Sequence, residues 1–193
     1  MFLFREPTEA DVSKFRQAQL GAKLTYAAVG ATRTSPPLGF RVNRFRTQIG
    51  HGRELYERAG QAVLDARILH LAWARPVLQN CPLRVDDTVV LVVRHKFAWS
   101  LNACRVIYLI DEQGPARRRG FAYGTLPGHG VRGEELFQVE WDSGTDQVSY
   151  MIYSFSRPAQ LIAWVGIPLL RSFQARFVRE SAKVLQTALG SGG

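Results

Sequence analysis

The chain is poor in the residues that usually carry metal and redox chemistry: it has two cysteines and four histidines in 193 residues. Cys81 and Cys104 fit no zinc or dithiol spacing and read as free thiols in buried positions. His51, His70, His95 and His129 are scattered, so neither a metal site nor a cofactor is expected. No uninterrupted apolar stretch reaches the roughly 18 residues of a membrane-spanning helix. The opening MFLFREPTEAD meets its first charges after a very short apolar run, which does not read as a secretory leader, and the expected compartment is the cytoplasm. Familiar catalytic signatures are missing too. There is no GxSxG elbow, no GxxxxGK[ST] phosphate loop, and neither cysteine lies beside a histidine in sequence.

What is present is arginine. The net charge is +9, and 21 of the 25 basic residues are arginines spread along the chain. The one tight cluster, Arg117-Arg118-Arg119, reads as a hairpin turn. A nucleic-acid surface needs a basic stripe interleaved with aromatics, so nucleic acid is not the expected partner. Weak contact with an anionic membrane is the more natural use of such a surface.

Hydrophobic content of 46% over this length suits one domain, residues 1–193, with a substantial core. Thr8 with Asp11 three positions on predicts a helix start, followed by Val12, Phe15 and Gln19 on one side. Residues 21–38 read as an irregular connection. Phe40 to Ile49 approximates a strand, GHGR (50–53) breaks it, and Glu54 to Ile68 has helical spacing. Strands are then expected at Leu69–Trp73, Val85–Trp99, Leu101–Asp111, Gly120–Leu126, Glu135–Asp142 and Gln147–Ser156, with a hairpin turn over 142–146. Ser156 and Pro158 predict the start of a terminal helix reaching about Leu189, striped by Leu161, Val165, Leu169, Phe173 and Phe177 and kinked at Gly166 and Pro168.

The fold class expected is therefore α+β: a seven-stranded curved antiparallel sheet wrapped around a long kinked C-terminal helix. A sheet curled around one broken helix fills imperfectly and tends to leave a cavity.

The stretch GFAYGTLPGHGVRGEELF (120–137) is the most unusual run. On one reading Gly124, Gly128, Gly130 and Gly133 supply turn geometries, and a glutamate pairs with an arginine. On the other, Tyr123, Thr125, His129 and a glutamate gather at a cavity entrance. Adjacent Glu134 and Glu135 must face opposite ways in a strand. Phe137, Val139 and Trp141 share the face of Glu135, which would make Glu135 the buried carboxylate, needing an arginine or holding its proton more tightly. GHGR has two readings as well: a plain strand-to-helix turn, or an anion site at a helix N-terminus with His51 and Arg53. Trp164 with Tyr150, Tyr153, Phe155 and Phe173 belongs to the core or lines the cavity.

The element order resembles the helix-grip fold of the START and birch-pollen-allergen superfamily, with one helix after the first strand in place of the usual pair. That resemblance implies a cavity for an apolar or amphipathic small molecule. Tyr26, Val29-Gly30-Ala31-Thr32, Pro37-Leu38-Gly39-Phe40, Ile49-Gly50-His51-Gly52, Phe121 to His129 and Gly133-Glu134-Glu135 resemble uncharacterised protein family 0548, as do Ser156-Arg157-Pro158 and Gln174. This domain-of-unknown-function family implies no activity or catalytic residue.

The function expected is a non-catalytic binding module for an apolar or amphipathic ligand, lipid included. Tyr123, Thr125, His129, Glu135, His51, Arg53 and Trp164 are its candidate contacts. The first alternative is an enzyme on the same scaffold, with Glu135 or Glu134 and His129 as acid and base and Tyr123 as donor. The second is a basic surface protein that docks on anionic membrane or nucleic acid.

Overall fold

Alternating apolar residues build one long antiparallel sheet, and its two faces are covered by different helices. The computed structural model describes residues 1–159 and 167–190, and the side chains of 1–159 and 175–189. In chain order the elements are β1 (Phe2–Leu3), α1 (Glu9–Gln19), β2 (Arg41–His51), α2 (Arg53–Leu64), β3 (Ala74–Val77), β4 (Thr88–Arg94), β5 (Trp99–Glu112), β6 (Ala116–Thr125), β7 (Val131–Asp142), β8 (Gln147–Pro158) and α3 (Ile167–Gly190). The strands run β2-β8-β7-β6-β5-β4-β3, and β1 adds to β5 as the eighth. All pairings are antiparallel, as short connections require. The sheet does not close into a barrel: β2 and β3 are its two edges.

Thr8 caps α1 as its sequence predicts. Its hydroxyl accepts from the Asp11 amide at 3.2 Å, and Asp11 accepts from the Thr8 amide at 2.8 Å. Val12 and Phe15 then lay α1 on the outer face, against Val90, Val92, Leu101 and Leu126. On the inner face, Tyr56, Ala59 and Val63 of α2 and Ala182 and Leu185 of α3 close over Val106, Phe121, Phe137, Val139 and Tyr150. Both helices use the apolar stripe that a 3.6-residue period provides.

Several local expectations give way to long-range pairing. Ser156, Arg157 and Pro158 do not start a helix but end β8, where Ser156 pairs with both Gly133 and Arg41. Proline is tolerated at such a strand end because no ladder donor is needed there. Arg117-Arg118-Arg119 lies inside β6 rather than in a turn, so alternate arginines face opposite sides. Arg118 meets Glu112 and Glu140 outside, and Arg119 meets Glu57 and Asp111 inside. These ion pairs take up the charge of two of the three arginines, and Arg117 lies 5.4 Å over the Trp141 ring. Leu69 closes a short 3₁₀ turn, with the strand starting only at Ala74. The expected Val85–Trp99 strand is divided by a hairpin connection between β4 and β5. Leu161, Trp164 and Val165 lie outside the described residues, the kink at Gly166 and Pro168 involves such residues, and the side chains of Leu169 and Phe173 are likewise outside.

Leu185 is fully buried and ties α3 to the sheet. Leu185→Ala is expected to cost about 2–5 kcal/mol through lost transfer energy and the cavity left behind. Gln186→Ala, on the exposed side of the same turn, should stay within about 0.5 kcal/mol. Urea denaturation at constant m checks both.

Candidate functional site

Strand β7 carries two carboxylates in succession, and the pleat sends them to opposite faces. Directly paired residues of an antiparallel sheet share a face, with Cβ atoms about 4.5–5.5 Å apart. The register therefore defines rungs across the inner face. Phe121, Phe137, Ile152 and Phe45 form one, which is wholly apolar. The next is Tyr123, Glu135, Ser154 and Asn43, in which every side chain can hydrogen-bond. Gly133, Ser156 and Arg41 follow at the sheet's end.

Outside, Glu134 is only 2% exposed and is held on all sides. Its Oε2 accepts from the Tyr26 hydroxyl and the Gly30 amide, both at 2.7 Å. Its Oε1 accepts from the Thr32 amide at 3.0 Å and from the Thr32 hydroxyl. Thr32 also meets the Tyr108 hydroxyl at 2.6 Å. Gly30 sits at φ 81, a left-handed conformation that glycine adopts without strain and that leaves its N–H aimed at the carboxylate. Gly124 has a different reason to be glycine: a Cβ there would stand 2.2 Å from the Tyr26 hydroxyl oxygen. Glu134 thus fastens the connection before β2 to the sheet, and it has no lone pair left for chemistry.

Inside, Glu135 accepts one hydrogen bond among the described residues, from the Tyr123 hydroxyl at 3.0 Å. Burial raises its proton affinity from the usual 4.5 to about 7, with the Tyr123 bond working the other way. Burial, and then the nearness of Glu135, push the Cys104 thiol and the Tyr123 and Tyr150 hydroxyls up. Glu135 borders a cavity of about 520 Å³ between the inner face and α3. Phe45, Leu91, Val93, Ile152, Phe177 and Val178 supply its apolar wall. Asn43, Asn102, Tyr123, Ser154 and His129 join Glu135 as its polar lining. Arg41, Arg44 and Arg179 also line it, and all three are exposed.

His129 lies in the β6–β7 turn. Its Nδ1 accepts from the Val131 amide at 3.1 Å, so in the neutral ring Nε2 carries the proton. Burial lowers its proton affinity to about 4, which keeps the ring neutral at physiological pH. Thr125 borders the cavity too, but its hydroxyl is engaged with the Gly133 amide at 3.0 Å and the Thr25 hydroxyl at 2.6 Å.

The structure thus brings Tyr123, Thr125, His129 and Glu135 together and leaves His51 and Arg53 elsewhere. His51 pairs with Gln147, eight residues along β2 from Asn43, on the order of 26 Å away. It faces the side-chain amide of Gln48 at 3.0 Å, and Arg53 pairs with Glu57 at 3.8 Å. The GHGR turn folds back on the β7–β8 hairpin, where the Gly52 amide donates to the Asp146 carbonyl at 3.0 Å. Tyr153 and Phe155 face outward, among Leu136 and Tyr108 and against Tyr26 and Phe40. Trp164 lies outside the described residues. Asn43, Asn102, Ser154 and Trp73 are among the lining residues that sequence reading missed. Trp73 packs edge-on against Phe177 and donates from its indole N–H to Glu180 at 2.6 Å. The available signal was two-residue alternation from Phe45 and Ile152, which puts Asn43 and Ser154 on the cavity face once those strands are assigned.

Residues 25–184 match the family model described as Domain of unknown function, DUF1990. The chain belongs to the DUF1990 family. Its relatives include a UPF0548 protein of Deinococcus radiodurans, 38% identical over 201 residues, covering 98% of this chain and 100% of the relative. A UPF0548 protein of Dictyostelium discoideum is 30% identical over 209 residues, covering 99% and 97%. Among solved structures, norcoclaurine synthase from Thalictrum flavum, in complex with dopamine and hydroxybenzaldehyde, aligns with a TM-score of 0.53 at 10% identity, covering 89% of this chain and 96% of that one. Ara h 8.0201 aligns with a TM-score of 0.50 at 9% identity, covering 80% and 100%. At these identities the likeness establishes fold alone: the DUF1990 chain has the helix-grip architecture of the START and birch-pollen-allergen proteins.

Two outcomes follow for the paired glutamates. Tyr26→Phe should cost about 1 kcal/mol, and Glu134→Ala about 3 kcal/mol or more, because buried donors lose their acceptor. In the double variant the two losses should not add, as denaturation midpoints will show. Glu135 acts on stability through pH. Between pH 4.5 and about 7 its folded form holds a proton that the unfolded chain has released, so its contribution falls as pH rises through that window. Discounted for partial exposure, Glu135→Gln should be about 2 kcal/mol more stable than the parent near pH 8 and close to it near pH 5. His129 acts in the opposite sense, its contribution being lost as pH falls from 6.5 through about 4. Comparing parent and variant across pH isolates Glu135.

Proposed function

We propose that this protein binds an apolar or amphipathic small molecule, lipid included, in the cavity between sheet and C-terminal helix, without transforming it. The observation that carries the reading is the cavity of about 520 Å³, apolar on most sides with one polar rung at Glu135. Small-molecule sites have this character: largely apolar lining, a few convergent polar groups and volumes of about 300–1,000 Å³. The fold likeness adds support, since the norcoclaurine synthase structure holds two small aromatic molecules.

The second reading is an enzyme on the same scaffold. What favours it is the proton affinity of Glu135, near 7, which suits proton transfer at neutral pH. The candidate set then narrows to Glu135, with Tyr123 and the neutral His129 ring as donors, because Glu134 is fully occupied on the outer face. Glu135→Gln separates the two: an enzyme would keep its ligand and lose turnover.

Binding is tested by native mass spectrometry of protein purified from its own host and by titration with the neutral fluorophore Nile red. Ser154→Phe, which places a ring in the cavity, should weaken Nile red binding at least tenfold while shifting the denaturation midpoint little. No carried ligand, together with no Nile red binding to the parent, would overturn the reading.

A further inference from the structure

We infer that the occupant is an amphipathic amine: an apolar body bearing one ammonium group that seats on Glu135. The inference rests on the binding reading above and goes further by naming the head group. An ionised carboxylate has about four acceptor directions. Glu135 uses one, toward the Tyr123 hydroxyl, and among the described residues no cation lies within ion-pair distance of it. Every other glutamate of the sheet is matched: Glu140 by Arg46 and Arg118, Glu112 by Arg118, and Glu134 by its four donors. A half-buried carboxylate without a cation is costly, and a ligand bringing its own cation removes that cost. Ser154 and Asn43, on the same rung, present a hydroxyl and an amide carbonyl to the remaining ammonium hydrogens. Beyond that rung, Phe45 and Ile152 with Leu91, Val93, Phe177 and Val178 offer the apolar body a wall.

Tyr123 on β6, Cys104 on β5 and Tyr150 on β8 all hold their protons more tightly than usual and stay neutral. His129 in the β6–β7 turn and His95 after β4 are shifted down by burial, toward the neutral ring. Among the described residues, the cations are Arg41 and Arg44 on β2 and Arg179 on α3, all exposed, with Arg44 lying 5.0 Å over the Tyr153 ring. Arg41 stands one rung from Asn43, but water and salt weaken the field of such exposed charges. The carboxylate at the cavity wall therefore sets the preferred charge of a head group inside.

Because Glu135 titrates near pH 7, the charged fraction rises about tenfold from pH 6 to pH 8, while an alkylamine stays protonated. The experiment is displacement of Nile red by decylamine, decanol and decanoate at both pH values. Decylamine should displace at concentrations at least tenfold below decanoate, and its apparent affinity should rise about tenfold from pH 6 to pH 8. Glu135→Gln should abolish that rise and the preference while still binding decanol. Should that variant fail to fold, the parent's pH dependence decides alone. Decanoate equal to or better than decylamine, or a flat pH profile, would overturn the amine assignment and leave the cavity reading standing. Failure of all three probes to displace bound Nile red would also overturn the amine assignment, whereas the cavity reading falls only with no carried ligand and no binding of the dye itself.

Discussion

The alternation of side chains along β7 is the constraint on which this structure depends. Two adjacent carboxylates cannot share a face of a pleated strand, so the chain must provide two environments for them. The outer one consists of donors drawn from a connection more than a hundred residues earlier, with Tyr26, Gly30 and Thr32 converging on Glu134. The inner one is a cavity wall where, among the described residues, Glu135 keeps a single hydrogen bond. Reversing the register by one residue would bury the saturated carboxylate's partners and expose the apolar rung, which is why the pairing is so tightly specified. Structure and candidate chemistry thus separate at one peptide bond.

The cavity exists because the inner helices cover the sheet unevenly. Tyr56 and Val63 of α2 and Leu185 of α3 fill the space over Phe137, Val139 and Tyr150. Around the Glu135 rung the described cover is Phe177 and Val178 of α3, and Trp73 reaches in from before β3. Outside, the gap beside α1 is smaller, about 250 Å³ between that helix and β3. Arg105 reaches across to the carbonyls of Gln19 and Ala22 at 2.8 and 2.7 Å, tying the end of α1 to β5. The outer face is finished as structure, and the polar rung of the inner face keeps hydrogen-bonding capacity in reserve.

Sequence reasoning reached the architecture because its signals are local and periodic. The capping box at Thr8 and Asp11, the helical stripe through Tyr56 and Val63 and the two-residue alternation of Phe137 and Val139 each depend on near neighbours. It failed where a local pattern competed with a distant partner. Ser156-Arg157-Pro158 has the form of a helix start but is captured by pairing with β7 and β2. Arg117-Arg118-Arg119 has the polarity of a turn but sits in a strand because acidic residues face it from both sides. GHGR drew attention through its glycines and histidine, yet it lies at the other end of β2 from the cavity. Within 120–137, Gly30-like turn geometry explains Gly128 at φ 83, whereas Gly124 is explained by the arrival of Tyr26.

By itself the sequence determined most of the element types, the single antiparallel sheet with its C-terminal helix, and the opposition of Glu134 and Glu135, since all of these follow from periods of two and 3.6 residues. Only the tertiary structure decided which glutamate is saturated, that Asn43 and Ser154 join Tyr123 and Glu135 on one rung, and that His51 does not. Those outcomes depend on the register between strands far apart in the chain and on how deeply each group is removed from water, and neither quantity is written in any local stretch of residues.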